Sequence, residues 1–188
     1  MSQTRILALV GSLRSGSINR QLAEAAAHTA PEGVEVDIYE GLGDIPFYNE
    51  DIDVEGSVPA AAQALRDAVA AADALVLFVP EYNGTIPAAL KNAIDWASRP
   101  YGTGSIKGKP TAVVSASISQ NAAKWAHGDT VKSAGVAGAA IVESAHLHFG
   151  TIGQRFAEAH PREDAEALTQ LAAVVTDLVA AVRESVDA

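Results

Sequence analysis

Residues Ala74 to Val79, ALVLFV, are apolar without interruption. So short an apolar run fits a strand buried on both faces, which is characteristic of the middle of a parallel sheet. Parallel strands cannot be joined by tight hairpins and need crossover connections, usually helices. The rest of the chain follows that rule. Arg5 to Val10 is a compact apolar run closed by Gly11-Ser12, and Val34 to Tyr39 alternates apolar with acidic residues. Thr111 to Ser115 gives a fourth strand, and a fifth is expected within Ala139 to His146. Between and after the strands lie helical segments at Asn19 to Thr29, Pro59 to Ala72, Pro87 to Ser98, roughly Asn121 to Gly135, and from Pro161 onward. In the last of these Leu168, Leu171, Val175, Leu178 and Val182 recur at three- and four-residue steps, the stripe of an amphipathic helix. Strand and helix alternate five times. The expectation is an α/β fold: one five-stranded parallel sheet with helices on both faces, for which 2-1-3-4-5 is one of two common strand orders.

The 188 residues show no Pro/Gly/Ser-rich linker, so a single domain over 1–188 is expected. Thirteen basic and 23 acidic side chains leave a formal charge of −10, which disfavours nucleic acid or an anionic membrane as partner. The absence of cysteine removes disulfides, thiol nucleophiles and thiolate-bound metals. The apolar stretch that starts at Ile6 ends at Gly11, too short for a signal-peptide core, and no run is read as a membrane span; a cytoplasmic protein is expected.

In open α/β sheets ligands bind beyond the carboxyl ends of the strands, where the strand order reverses. The loop from Gly11 to Arg20 has the chemistry of an anion site there. Backbone N–H groups and the dipole at a helix start attract phosphate, Ser12, Ser17 and Asn19 can donate hydrogen bonds, and Arg14 can supply charge. Two commoner nucleotide motifs are excluded: the G-x-G-x-x-G fingerprint needs glycine where Leu13 stands, and the P-loop needs lysine where Ser17 stands. The bland alternative is a serine-rich turn with Ser17 or Asn19 as helix cap.

The segment GSLRSGSINRQLA resembles the phosphate loop of the NAD(P)H-dependent FMN reductase family, which includes quinone, chromate and azo reductases. Asp44 to Asp51 (DIPFYNED), Pro80 to Pro87 running on to Trp96, and Gly108-Lys109-Pro110 match the same family in order, covering most of residues 5 to 117. The resemblance implies a flavodoxin-like fold in which Ser12, Arg14, Ser17 and Asn19 hold the phosphate of FMN, while Arg20 either joins them or braces the helix. It also implies that Pro80, Glu81, Tyr82, Asn83 and Gly84 lie against the flavin ring. The family's glycine-rich turn after the fourth strand is replaced by Ser115 to Asn121, where Ser115 and Ser117 are the implied contacts. Tyr82 would serve equally as a core or subunit contact.

His146 and His148 would share one face of a strand, but no third ligand accompanies them, and no metal site is expected. By resemblance the flavin carries the chemistry, taking hydride from NADPH or NADH and passing electrons to a small acceptor: free FMN, a quinone, an azo dye or a metal oxyanion. No side chain is nominated as nucleophile, acid or base. The resemblance further implies a homodimer or homotetramer. The same residues also suit a flavodoxin-like electron carrier or a non-catalytic flavin-binding module.

Overall fold

The structure is a computed structural model and describes residues 3–187. Six strands form one parallel sheet: β1 (Thr4–Val10), β2 (Val34–Ile38), β3 (Ala74–Val79), β4 (Pro110–Ala116), β5 (Ala140–Ile141) and β6 (Leu147–Phe149). Their order is β2-β1-β3-β4-β5, with β6 also paired to β4. The fifth sheet position is therefore filled by two short strands. β5 pairs with the start of β4 (Pro110 with Ala140, Thr111 with Ile141) and β6 with its end (Val114 with Leu147, Ala116 with Phe149). A short 3₁₀ turn over Glu143–Ala145 interrupts them, and it buries Ala145. The segment expected within Ala139 to His146 thus contains only β5 and the interruption.

The principal helices are α1 (Ile18–His28), α2 (Ala60–Ala71), α3 (Ala88–Ala97), α4 (Lys124–Val136) and α6 (Ala165–Asp187), with a single-turn α5 at Ile152–Arg155. Successive strand residues point to opposite faces, and the cores divide accordingly. Ile6, Ala8, Val10, Val76, Phe78 and Val114 pack under α1 and α6. Leu7, Leu9, Leu75, Leu77, Val79 and Val113 pack under α2, α3 and α4. β3 is buried at every position, as its composition demands.

By length and composition α6 could cross a membrane, contrary to the reading that no run does. In the fold its stripe of Ala167, Leu171, Val174, Val175, Leu178 and Val179 is buried in the core beneath the sheet.

Two of the recognised segments are fastened to each other. The Asn92 side chain accepts from the Tyr48 N–H (2.8 Å) and donates to Pro46 O (3.0 Å), and the Trp96 indole N–H donates to Pro46 O (2.8 Å). Residues 44–51 are thereby strapped to α3, leaving Phe47 exposed on the tip. Leu90, Ile94 and Trp96 are core residues, and Lys91 pairs with Asp95 on the helix surface. Lys109 plays a structural part, donating from Nζ to Ala70 O (3.2 Å) at the end of α2.

Candidate functional site

The loops that leave β1, β3 and β4 meet at the carboxyl edge of the sheet. Gly11 begins the first, its N–H bonded to Phe78 O (2.9 Å). A Cβ at Gly11 would lie 3.1 Å from Pro80 Cδ and 3.2 Å from Pro87 Cγ, so glycine lets the first and third loops touch. Leu13 to Gly16 are exposed, and the Ser17 N–H closes the turn on Arg14 O (3.1 Å).

Ser17 is the N-cap of α1, but its side chain caps nothing, and no acidic residue stands in the first turn. The helix ladder starts with the Gln21 N–H on Ser17 O (3.1 Å), which leaves the N–H groups of Ile18, Asn19 and Arg20 without helical partners. Ser17 and Asn19 are nonetheless buried, Asn19 to 4 % exposure. The Asn19 amide donates weakly to Ala116 O (3.4 Å) at the end of β4, while its buried Oδ1 has no partner. Unsatisfied donors at an uncapped helix start, beside an orphaned buried acceptor, are the polar inventory a phosphate and a hydroxyl would complete.

Arg14 is exposed beside this turn. Arg20 is occupied elsewhere: it grips Glu40 through both terminal nitrogens and reaches Glu24 (3.2 Å), and these carboxylates raise its pKa further. Of the two roles open to it, the structure shows the brace. A cavity of 250 Å³ lies beside the loop, lined by Ser12, Arg14, Ser15, Arg20, Tyr39 and Glu40 among others.

The third loop is a tight hairpin. Tyr82 and Thr85 exchange backbone hydrogen bonds (3.3 and 3.2 Å), with Asn83 at φ 53° and Gly84 at φ 78° between them. Positive φ at both central residues is the geometry that Asn-Gly supplies most readily. The half-exposed Tyr82 donates its hydroxyl to Ser12 Oγ (3.3 Å), joining the third loop to the first. The Glu81 carboxylate turns away, accepting from the backbone N–H groups of Trp125 (3.2 Å) and Ala126 (3.1 Å). It caps α4, whose own N-cap residue, Ala123, has no side chain able to do so. Thr85 Oγ1 adds a hydrogen bond to Asp129 on the same helix.

At the end of β4 Ser115 is fully buried. Its hydroxyl donates to Ala122 O (2.8 Å) and lies 2.8 Å from His148 Nδ1, so it supports the fourth loop from below and is not presented at the edge. Ser117 is half-buried and bonded to Ser119. Just beyond the Ser115 to Asn121 segment, Ala122 and Ala123 adopt left-handed φ of 55° and 57°.

Beneath this loop sits a histidine cluster that sequence reasoning found only in part. His127 of α4 is 5 % exposed, with ring centroids 4.8 Å from His146 and 4.2 Å from His148, and neither of its nitrogens has a partner. Burial, with the neighbouring His148 and His146, pushes its pKa down to about 3. Burial also lowers His148, helped by Lys124 and His146. Among the described residues no group of three or more His, Cys, Asp or Glu side chains is arranged to hold a metal ion. The two-residue spacing of His146 and His148 was visible in the sequence, but only His148 lies in a strand, and the two rings meet on His127, which enters from a helix remote in sequence.

The order β2-β1-β3-β4-β5, with polar loops meeting at its carboxyl edge, defines a flavodoxin-like protein. The chain belongs to the NADPH-dependent FMN reductase family, whose model matches residues 4–154. It is similar to a quinone reductase of Pseudomonas putida, 48% identical over 118 residues that make up 62% of each protein. An NAD(P)H-dependent FMN reductase of Pseudomonas aeruginosa is 43% identical over 113 residues, 60% of each. These alignments thus span about three-fifths of the relatives' own length. Among solved structures, the flavoenzyme NAD(P)H:(acceptor) oxidoreductase FerB of Paracoccus denitrificans superposes with a TM-score of 0.76 at 28% identity, covering 96% of this chain and 98% of FerB.

Proposed function

We propose that the protein binds FMN at the junction of the first and third loops and uses it to oxidise NADPH or NADH and reduce a small acceptor, a quinone foremost. The observation that carries this is the uncapped start of α1, with buried Asn19 Oδ1 unpartnered, tied through Ser12 and Tyr82 to the Asn83-Gly84 hairpin. The free N–H groups of α1, with Ser12, Ser17 and Arg14, supply donors and charge for a phosphate monoester. Asn19 Oδ1 offers an acceptor to a hydroxyl of the same ligand. The hairpin supplies a rigid backbone edge for the ring, Pro80 seats it on β3, and Tyr82 gives an aromatic side. Ser117 stands at the rim, while Ser115 and the Glu81 carboxylate hold the fourth loop and α4 in position.

FMN held by these residues would supply the two-electron chemistry between the nicotinamide and the second substrate. The chain contributes binding, orientation and exclusion of water. Equilibrium dialysis should show FMN retained, and anaerobic NADPH or NADH should bleach its visible band. Retention without bleaching by either nucleotide would favour an electron carrier, and loss of FMN on dialysis would favour a non-catalytic module.

We also propose that the protein acts in the cytoplasm as a homodimer or a dimer of dimers. The face between the ends of α3 and α4 supports pairing: it carries a 550 Å³ cavity whose lining includes the exposed Tyr101 and Val136. Light scattering coupled to gel filtration tests it, and a monomeric mass refutes it.

A further inference from the structure

Large apolar side chains that stay exposed gather at the edge where the cofactor loops meet. Leu13 follows β1, Tyr82 follows β3 and Ile118 follows β4, while Trp125 opens α4. Exposed apolar groups gathered at one end of a fold mark a surface that takes an apolar ligand. Trp125, like Tyr82, is held in place, and its ring has no polar atom committed to a neighbouring loop. It is 65 % exposed, yet its backbone N–H is held by Glu81, and its ring lies 3.5 Å from where a Cβ on Gly84 would stand. The hydrogen bond from Thr85 to Asp129 pins the next turn of α4 to the same hairpin. An indole face is thus presented beside the Asn83-Gly84 turn with its ordering cost already met by the fold.

We infer that Trp125 is a specificity-determining residue: its indole forms one wall of the acceptor site and selects flat, electron-poor conjugated rings by stacking. The inference rests on FMN occupying the adjoining loops. The electron-rich face of indole favours an offset stack with an electron-poor ring such as a quinone, and it offers nothing comparable to a small inorganic oxidant.

The test uses the FMN-loaded protein and its Trp125→Ala and Trp125→Phe variants. Binding of 1,4-naphthoquinone to the oxidised protein, measured by calorimetry without nicotinamide, should weaken about tenfold in W125A and recover largely in W125F. In turnover, kcat/KM for the quinone should fall by a similar factor, while kcat/KM for ferricyanide and the retention of FMN stay within about twofold. Equal loss toward both acceptors, no loss toward either, weaker FMN retention or a changed oligomeric state would each overturn the role given to Trp125. If the unmodified protein fails to retain FMN, the flavin assignment falls, and this inference with it. If it retains FMN and W125A binds quinone as before, only the inference falls.

Discussion

Acidification should destabilise this protein earlier than its carboxylates alone would dictate, and His127 is the reason. Its imidazole is buried among His146 and His148 with both nitrogens unpartnered, and in the fold its pKa is about 3. Unfolded, it returns to the ordinary value near 6.5. As pH falls below 6.5 the unfolded chain takes up a proton that the folded chain refuses, so stability declines from there until pH approaches 3, where the folded form protonates as well. Each pH unit inside that window costs about 1.4 kcal/mol, so moving from pH 7 to pH 5 removes about 2 kcal/mol. His148, lowered in the same direction, adds to the loss. Urea unfolding at pH 7 and pH 5, on the native protein and on His127→Phe, separates this effect from the rest. The carboxylates titrate alike in both proteins and cancel in the difference. His127→Phe should lose about 2 kcal/mol less over that interval. It should also be the more stable at pH 7, because two unpaired buried nitrogens are removed. Parallel loss of stability in the two proteins would refute the reasoning.

Arg14→Ala should weaken FMN retention about tenfold in equilibrium dialysis without changing the melting temperature of the FMN-free protein, since the side chain is exposed and its proposed partner is the phosphate. Gly104→Ala should cost about 3 kcal/mol in denaturant unfolding, because a Cβ there would stand 2.4 Å from the Ser98 carbonyl carbon and 2.6 Å from Ala97 O. Both clashes are with backbone, which cannot swing aside. Ala122→Gly should raise stability by about 1 kcal/mol in the same assay, by relieving a left-handed backbone that disfavours a Cβ.

The sheet was legible because its inner strands are written in continuous apolar runs, and β3 spans the very residues Ala74–Val79 read from the sequence. The C-terminal helix was legible from its stripe, and the segments read as helices from Pro59 and Pro87 became α2 and α3 with those prolines at their starts. β6 escaped because a three-residue strand whose sequence is Leu-His-Phe carries almost no period, and its place is fixed by pairing with Val114 to Ala116. The chemistry of the candidate site was legible where it is local, in the density of polar groups from Ser12 to Asn19, whereas the hairpin at Asn83-Gly84 was not read from the sequence. It was illegible where a side chain's partner is remote. Nothing in the local sequence shows that Glu81 caps a helix 44 residues away, or that the Ser115 hydroxyl is taken up by Ala122 and His148.

The fourth loop shows how a backbone requirement can outlast the residue that usually meets it. The turn from β4 into α4 still needs left-handed conformations, and Ala122 and Ala123 adopt them despite a cost of roughly 1–2 kcal/mol each. That cost persists because the surroundings leave little freedom. The Ala122 N–H is held by Ser119 O (3.2 Å) and its carbonyl by Ser115, while both alanines are buried. With Ala123 as N-cap, α4 has no capping side chain of its own, and Glu81 supplies the missing acceptor from the hairpin after β3. The missing side-chain cap of α4 and the inward commitment of Glu81 are therefore linked. The carboxylate that anchors α4 sets Trp125 against Gly84, so the fourth loop and the start of α4 are bound to the hairpin after β3.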